Sequence, residues 1–557
     1  MKYLCRFIVL ILLFTHNANA QKLTGQSSES FIAQDGWAKI KQLKNGNTFL
    51  IEISNDGAMV VTVFDSTHKN VAQNNVRFTA INKDLSKVAL IKCFEWNGKV
   101  ILFFNERIKK SPTLFMAIFD GWNGALLEDK IVLEIPPEPF GSKFAHDFGN
   151  MSYPYFDLEF DPYTGFYAVL LFNPFTETNN RIQVVHYNPN HEIINQSFYI
   201  VPEESFKYVD AVNLYVKGGE YLLLTTHLYN TRASGGRKSK IYLSKFENGK
   251  TKFLNRSFPI NGFFKNVSGS FQYNEASQKL HLYMSLLYEK EGGYSYYSLF
   301  TQVIDADNLE FMEATTIPMK AAQDLYVKTL RKKDQVFTGM PQYYGLDGEG
   351  NNFFLFQKTT LHISGGIGGS ITTSLGDITL SNFDKNGVQK YAGVIRCNYS
   401  ILGDHSSLTY NSKVYNPSQS LYIGNLPDPS YFHIDVVASK KYTYLFMNNR
   451  TDNVLLPENK KPKLTKNTSN LSMVRYKYSS AGLIEKIVVD KGDSLTDEKK
   501  YFNPTASDFD EASGKYVTLV LKETYEIEST DPPMHGAQET TGFTKKVIGE
   551  LIWFDLE

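Results

Sequence analysis

Short apolar runs alternate with clusters of turn-forming residues along this chain, and eight of the runs close in the same way. An aromatic or large apolar residue is followed by Asp or a near-equivalent: Phe64-Asp65, Phe119-Asp120, Tyr187-Asn188, Phe246-Glu247, Ile304-Asp305, Phe383-Asp384, Tyr478-Ser479 and Phe554-Asp555. Seven of these are followed within a few residues by turn chemistry (STHKN, GWNG, NPNHE, NGK, ADN, KNG, SAG) and then by another β-rich run. Self-similarity built from strands and tight turns marks an array in which each unit buries its faces only against its neighbours.

Within a unit the pattern reads as four short strands, best seen at YPYFDLEF, FYAVLLFN, RIQVVHYN and EIINQSFYIV. The first strand alternates apolar and polar positions, whereas the second is almost wholly apolar. A strand loses its alternation when sheets cover both of its faces, so the second strand is expected to be sandwiched between neighbouring units. Equivalent second strands recur as VILFFNE, YLLLTTHLY, LHLYMSLLY, NNFFLFQK, YTYLFMNN and YVTLVLKE, with the aromatic and β-branched content that suits pleated packing. A second repeated turn joins strands one and two: Phe160-Asp161-Pro162-Tyr163-Thr164-Gly165 matches Phe509-Asp510-Glu511-Ala512-Ser513-Gly514, and more loosely Tyr273-Asn274-Glu275-Ala276-Ser277-Gln278. Asp or Asn there bonds its own backbone two residues on, and Gly takes the left-handed position. Neither loop offers the alternating oxygen ligands a metal loop needs, so a structural turn is expected.

These patterns resemble the β-propeller superfamily, in which four-stranded blades stand radially around a channel. The resemblance implies an all-β fold, one ring spanning residues 21–557. It names no narrower family, because sialidase Asp boxes, WD40 Trp-Asp endings and kelch double glycines are missing. Counting turns gives eight blades; seven is the alternative, since the first unit is compact and its turns are irregular. Phe554-Asp555 falls two residues before the last residue, which leaves the eighth blade one strand short. The segment up to Gln34, with Ser28-Glu29-Ser30-Phe31-Ile32-Ala33-Gln34, is expected to supply that outer strand and hide the open edge.

The first twenty residues carry Lys2 and Arg6, the apolar stretch FIVLILLF and then Ala18-Asn19-Ala20, the pattern of a signal peptide cut before Gln21. A secreted or periplasmic protein of bacterial type is expected. The leader's apolar core is too short for a span and no later segment has eighteen uninterrupted apolar residues, so a membrane-embedded chain is not expected. Cys93 and Cys397 are too few for a disulfide framework, and their blades are far apart around the ring, so free thiols are expected. Lys plus Arg equals Asp plus Glu at 58 each, which gives no global field for nucleic acid. GxSxG, HExxH and GxxxxGK[ST] motifs are missing, and SGGIGGS at 364–370 lacks the Lys of a phosphate loop. No cofactor or metal is expected, and His186, His227 and His281, set within strands, read as packed or partnered residues.

Loop length points to one functional face. Connections between strands two and three swell at 173–180, 230–239, 358–376, 448–472 and 523–546, and blade-to-blade crossings at 136–150, 319–338 and 396–430. All emerge on the same side of a propeller, and long loops on a rigid scaffold are where binding and catalysis reside. Basic residues gather there (Arg107, Lys109 and Lys110; Arg232, Arg237 and Lys238; Arg331, Lys332 and Lys333; Lys460, Lys461, Lys463 and Lys466), while blade eight carries Glu523, Glu526, Glu528, Asp531 and Glu539. Arg232, Arg237, Arg331 and Lys461 are therefore candidate ligand-binding residues for an anionic glycan or acidic partner, weighed against loops with merely solvated charge. Residues 321–334 read as a short helix over the ring.

The innermost strands supply the one catalytic candidate. Aligning YPYFDLEF, FKYVDAVNL and SYFHIDVV superimposes Tyr155, Tyr208 and Tyr431, then Asp157, Asp210 and His433; alternation places Glu159 and Asp435 on the same side. Paired carboxylates can serve as acid and base in glycoside chemistry and a histidine can shuttle a proton, although polar residues also line wet channels without catalysing anything. Two readings result: a secreted non-enzymatic propeller that presents its loop-rich face to a protein or polysaccharide partner, or an exported carbohydrate-active hydrolase or lyase using Asp157, Glu159, Asp210, His433 and Asp435. A structural envelope component, the third reading, would expose an apolar patch on the long-loop face. Fold analogy does not choose among them, and the pattern carries no signal for an oligomeric state.

Overall fold

The eight apolar residues of the repeat, Phe64, Phe119, Tyr187, Phe246, Ile304, Phe383, Tyr478 and Phe554, are all buried. Each lies at, or one residue before, the end of a strand. The polar residue that follows starts the turn: Asp65 Oδ1 accepts the Thr67 N–H at 2.8 Å, Asn188 Oδ1 that of Asn190 at 2.9 Å, and Asp384 Oδ1 that of Asn386 at 2.9 Å. In these units, and in those of Asp120 and Asp305, the repeat is an anchor residue plus an Asx turn. A computed structural model describes residues 25–557 apart from 35, 55, 81–84, 86–87, 109, 143–151, 275–276, 290–294, 318–338, 364–370, 385, 403–420, 423–431, 433, 458–459, 467–470, 490–498 and 529–541.

The strands form eight antiparallel sheets; seven take their first to fourth strands in sequence order, and the eighth takes three in order and its outer strand from the N-terminal segment. Blade 1 spans 37–76, blade 2 89–134, blade 3 155–198, blade 4 208–257, blade 5 264–317, blade 6 339–395 and blade 7 434–488; blade 8 begins at 499. The first strands of successive blades touch all the way round, from Trp37–Gln42 of blade 1 to Lys499–Asp510 of blade 8 and back, so they line the central channel. The chain is an eight-bladed β-propeller.

Core packing explains why the second strands are apolar on both faces. Among the described residues eight hydrophobic clusters occur, each bridging one pair of adjacent blades. In blade 2, Phe103 packs toward blade 3 while the next residue, Phe104, packs toward blade 1. Strands Thr48–Ile53 and Tyr167–Phe172 are buried at every position, whereas the fourth strand Ile193–Phe198 has no buried residue.

The termini close the ring as the unpaired edge demands. Strands Gln26–Ser27 and Phe31–Ile32 both pair with the last strand, Gly542–Asp555. Ser28 N–H donates to Leu551 O at 2.9 Å, and its Oγ accepts the Leu551 N–H at 3.0 Å. A side chain at Gly549 would meet the Phe31 ring at 2.7 Å, so glycine lets the closing strand lie flat there. Across the seam, Trp553 stacks on His68 of blade 1 at 4.1 Å and donates Nε1–H to Thr48 Oγ1 at 3.2 Å.

Some segments read as loops are extended hairpins. In blade 6, strands Asn352–Ile363 and Ile371–Phe383 continue well past the sheet, and Tyr399–Leu402 joins them. In blade 8, Lys515–Glu528 pairs with Gly542–Asp555 throughout. These extensions are polar but rich in β-branched residues, and antiparallel pairing needs no apolar face once the strands leave the core. The crossing from blade 6 to blade 7 sends Leu421–Tyr422 to pair with Ala89 and Leu90 on the innermost strand of blade 2. The segment 321–334 lies outside the described residues, and among those described no helix is long and apolar enough to cross a membrane.

Candidate functional site

Each first strand runs from the long-loop face toward the face of tight hairpins. Asp157 is the third residue of Tyr155–Phe160 and Asp210 the third of Tyr208–Lys217, which places both near the long-loop mouth. Strict alternation in blade 3 buries Phe156 and Leu158 and leaves Asp157 and Glu159 half-buried along the channel. In blade 4 a bulge between Ala211 and Asn213 breaks the alternation after Asp210, so the two strands superimpose only at their first residues.

The channel carboxylates have different environments. Glu159 forms an ion pair at 3.0 Å with Lys92 on the first strand of blade 2. Asp157 Oδ1 accepts the Leu158 N–H at 2.8 Å; desolvation and then the Glu159 charge push its carboxyl up to about 6, while Lys92 pulls it back. The Asp210 carboxyl is raised to about 6 by desolvation, against the pull of the neighbouring Tyr229 hydroxyl and the Arg181 charge. Arg181 Nη1–H in turn donates to Lys207 O at 2.7 Å, and Tyr208 and Tyr229 stack at 5.2 Å. Asp435 Oδ2 accepts from Ser507 Oγ at 2.7 Å and from the Tyr516 hydroxyl at 2.9 Å, both in blade 8. His433 lies outside the described residues.

Glu159 and Asp435 therefore tie neighbouring blades together, and each of Asp157 and Asp210 sits in its own polar cluster. Asp157 faces Glu159 and Lys92; Asp210 faces Tyr229 and Arg181. Lys92, Arg181 and Tyr229 were not singled out from sequence. Lys92 was legible, since it stands in a first strand of known alternation; Arg181 and Tyr229 come from the connection and strand end beyond the alignment.

On the long-loop face Arg232 is exposed in the single turn Arg232–Ser234, Arg237 is exposed with its guanidinium 5.7 Å from the Phe263 ring, and Lys461 is exposed in the blade 7 connection. Arg331 lies outside the described residues, as do Asp531 and Glu539 of the acidic set. Not every cation there is available: Arg107 pairs with Glu138, and Lys463 with Asp452 at 2.8 Å. The crossings and hairpins of this face also carry exposed apolar residues, with Phe140 fully exposed and Ile363 and Leu455 mostly so.

The other groups singled out in the sequence are buried or half-buried among protein neighbours. His186 Nε2 meets Gly218 O at 2.9 Å and burial pulls the ring down to about 4; His227 stacks on Tyr229 at 4.9 Å and burial pulls it down to about 3. His281 lies 6.3 Å from the Tyr283 ring. Cys93 and Cys397 are both free, and burial raises the Cys93 thiol to about 11. Asp161 accepts from the Tyr163 N–H at 3.0 Å and the Thr164 hydroxyl at 2.6 Å, with Gly165 at φ 79°, which is the structural turn read from FDPYTG. Among the described residues no cluster of His, Cys, Asp and Glu is arranged to hold a metal.

No family model matches the sequence, and neither does any curated protein. Among solved structures the chain is similar to the polysaccharide lyase Uly1, at 9% identity over 84% of this chain and 90% of that one, with a TM-score of 0.38. Similarity to Drosophila Plexin A, in a complex with Semaphorin 1b, covers 96% of this chain and 88% of that one at 9% identity and a TM-score of 0.32. A glucose dehydrogenase is matched at 11% identity over 60% of this chain and 96% of that one, with a TM-score of 0.31. Such distant likenesses carry no argument about activity.

Proposed function

We propose that this protein is a secreted or periplasmic, non-enzymatic binding propeller that presents its long-loop face to a protein or polysaccharide partner. The observation that carries this reading is the set of exposed cations on that face, Arg232, Arg237 and Lys461, accompanied by the exposed apolar side chains Phe140, Ile363 and Leu455, which are spread over the connections of blades 2, 6 and 7 rather than confined to the one patch expected of a structural envelope component. Apolar groups held in water on loops of a rigid ring favour association, and the cations add steering toward acidic groups. The engagement of Glu159 by Lys92 and of Asp435 by Ser507 and Tyr516 supports the same reading, because a carboxylate that ties two blades is poorly placed to shuttle protons.

A second reading, an exported carbohydrate-active hydrolase or lyase, is favoured by one observation. Asp157 and Asp210 have carboxyls raised to about 6 near the mouth of the channel, and perturbed carboxyls are a resource for acid–base chemistry. A screen of the chain from Gln21 against neutral and anionic glycans separates the two. Retention that survives Asp157→Asn and Asp210→Asn and weakens in salt supports binding; turnover that either variant abolishes supports the enzyme.

A further inference from the structure

The tight-hairpin face, opposite the loops discussed above, carries a cleft of about 480 Å³ between blades 1, 2 and 3. Lys44 and Asn45 line it from the blade 1 hairpin, Glu95, Trp96 and Trp122 from blade 2, and Tyr163 from the blade 3 hairpin. Two of its rings stand in water: Trp122 is 65% and Tyr163 66% exposed. Most aromatic residues of the fold pack between the blades, whereas this Trp and this Tyr stand on turn tips around one cleft.

The walls are braced from turn to turn. Asn45 and Asn47 of blade 1 both donate side-chain N–H groups to Gly121 O at 3.1 Å, and Gly121 N–H donates to Gly98 O at 2.9 Å. A Cβ at Gly121 would lie 2.1 Å from Gly98 O, so the two blade 2 turns meet only because the residue is glycine. Asp120 Oδ1 accepts the Trp122 N–H at 2.9 Å and fixes the turn that carries the indole. Blade 3 closes the site in the same manner: a Cβ at Gly165 would lie 2.1 Å from the Trp96 ring, so the hairpin bearing Tyr163 rests directly on that indole. Lys44 N–H donates to Glu95 Oε2 at 3.0 Å, and Lys44 Nζ stands 6.0 Å from the Trp96 ring.

We infer that this cleft is a binding subsite for a neutral saccharide chain, separate from the long-loop face. A sugar ring offers apolar C–H faces and hydroxyl edges, and the cleft offers the complement: flat exposed rings beside an ammonium, an amide and a carboxylate that donate to and accept from hydroxyls. Its volume is in the range of small-molecule sites, roughly 300–1,000 Å³. One lysine and one glutamate leave no net charge to favour an anionic sugar. A peptide is poorly served, because Gly98 O, Gly121 N–H and Gly121 O are already bonded and offer no strand edge. Preformed walls limit the ordering that weakens association.

The test is isothermal titration calorimetry of the chain from Gln21 with cellohexaose, laminarihexaose, mannohexaose and xylohexaose. Saturable binding of at least one is expected, weakened about tenfold or more by Trp122→Ala and by Tyr163→Ala and unchanged by Arg232→Ala with Arg237→Ala. Both aromatic positions are exposed, so the melting temperature should hold and loss of binding is not loss of fold. Binding of none of the four overturns the inference, as does binding that both aromatic variants leave intact. A ligand lost only in the arginine variants belongs to the long-loop face and also overturns it, while leaving the proposed function standing.

Discussion

Lys41 and Asp508, 467 residues apart in sequence, form an ion pair at 3.0 Å on the innermost strands of blades 1 and 8. Asp508 Oδ2 also accepts the Gln42 N–H at 2.7 Å, while Gln42 Nε2–H donates to Asp508 O and Lys515 O at 3.1 and 2.9 Å. One carboxylate thus gathers a side-chain cation and a backbone donor at the seam of the ring. Asp508→Ala strands both partners and is expected to lower stability by about 1–3 kcal/mol. Asp508→Asn, which keeps an acceptor for Gln42, should cost less. Urea denaturation of the three proteins checks the order, and an Ala variant as stable as the parent contradicts it.

Closure by the N-terminal strands protects an edge. A chain beginning at residue 37 lacks Gln26–Ser27 and Phe31–Ile32 and leaves the strand Gly542–Asp555 unpaired on its outer side. Such an edge templates pairing with other copies. Size-exclusion chromatography should show larger species for the truncated chain at concentrations where the chain from Gln21 elutes unchanged.

Glu52 supplies a pH dependence with a definite sign. Its side chain is buried on the second strand of blade 1, only 3% exposed, and Oε1 accepts the Gln34 N–H at 3.0 Å just after the closing strand. Burial pushes the carboxyl from an ordinary 4.5 up to about 7, against the pull of that hydrogen bond. Between those values the folded state holds a proton that the unfolded chain has released, so this residue's contribution to stability falls as pH rises from 4.5 to 7 and stays low above. Glu52→Gln removes the ionisation and keeps the acceptor. It should stabilise the protein at pH 8 by up to about 3 kcal/mol and have little effect at pH 4. Equal effects at the two values would disprove the assignment.

Burial separates two phenylalanines of similar appearance in sequence. Phe104 is fully buried in the cluster between blades 1 and 2, whereas Phe198 on a fourth strand is 43% exposed. Phe104→Ala should cost about 3–5 kcal/mol and Phe198→Ala far less. Thermal melts of both variants compare them directly.

Architecture was legible because it is written in repeated local chemistry. Phe64-Asp65 and its seven counterparts mark strand ends that are buried and followed by a turn, and the short eighth unit required a strand that Phe31 and Ile32 supply. Hairpin ends were read less well: Thr359, Thr360, Thr372 and Thr373 are polar enough to look like loop yet pair as strand in blade 6. The candidate site was less legible still. Alternation correctly placed Asp157 and Glu159 on one side of a strand, but which partner each meets depends on the neighbouring blade. Lys92 and Glu159 are 67 residues apart, and no local pattern announces such a pair. Arg181 reaches the neighbourhood of Asp210 from a different blade for the same reason. Trp122 and Tyr163 appeared only as parts of separate turns.

The central claim, recognition without turnover, is tested most directly by chromatographing glycans after prolonged incubation with the chain from Gln21, in parallel with retention measured for that chain and for the Arg232→Glu, Arg237→Glu, Lys461→Glu triple variant. The account predicts that every anionic glycan retained by the long-loop face is recovered at full length, and that the triple variant retains it at least about tenfold more weakly, as expected when charge complementarity becomes repulsion. Shortened or unsaturated products that disappear in Asp157→Asn or Asp210→Asn would contradict it and assign the channel to catalysis.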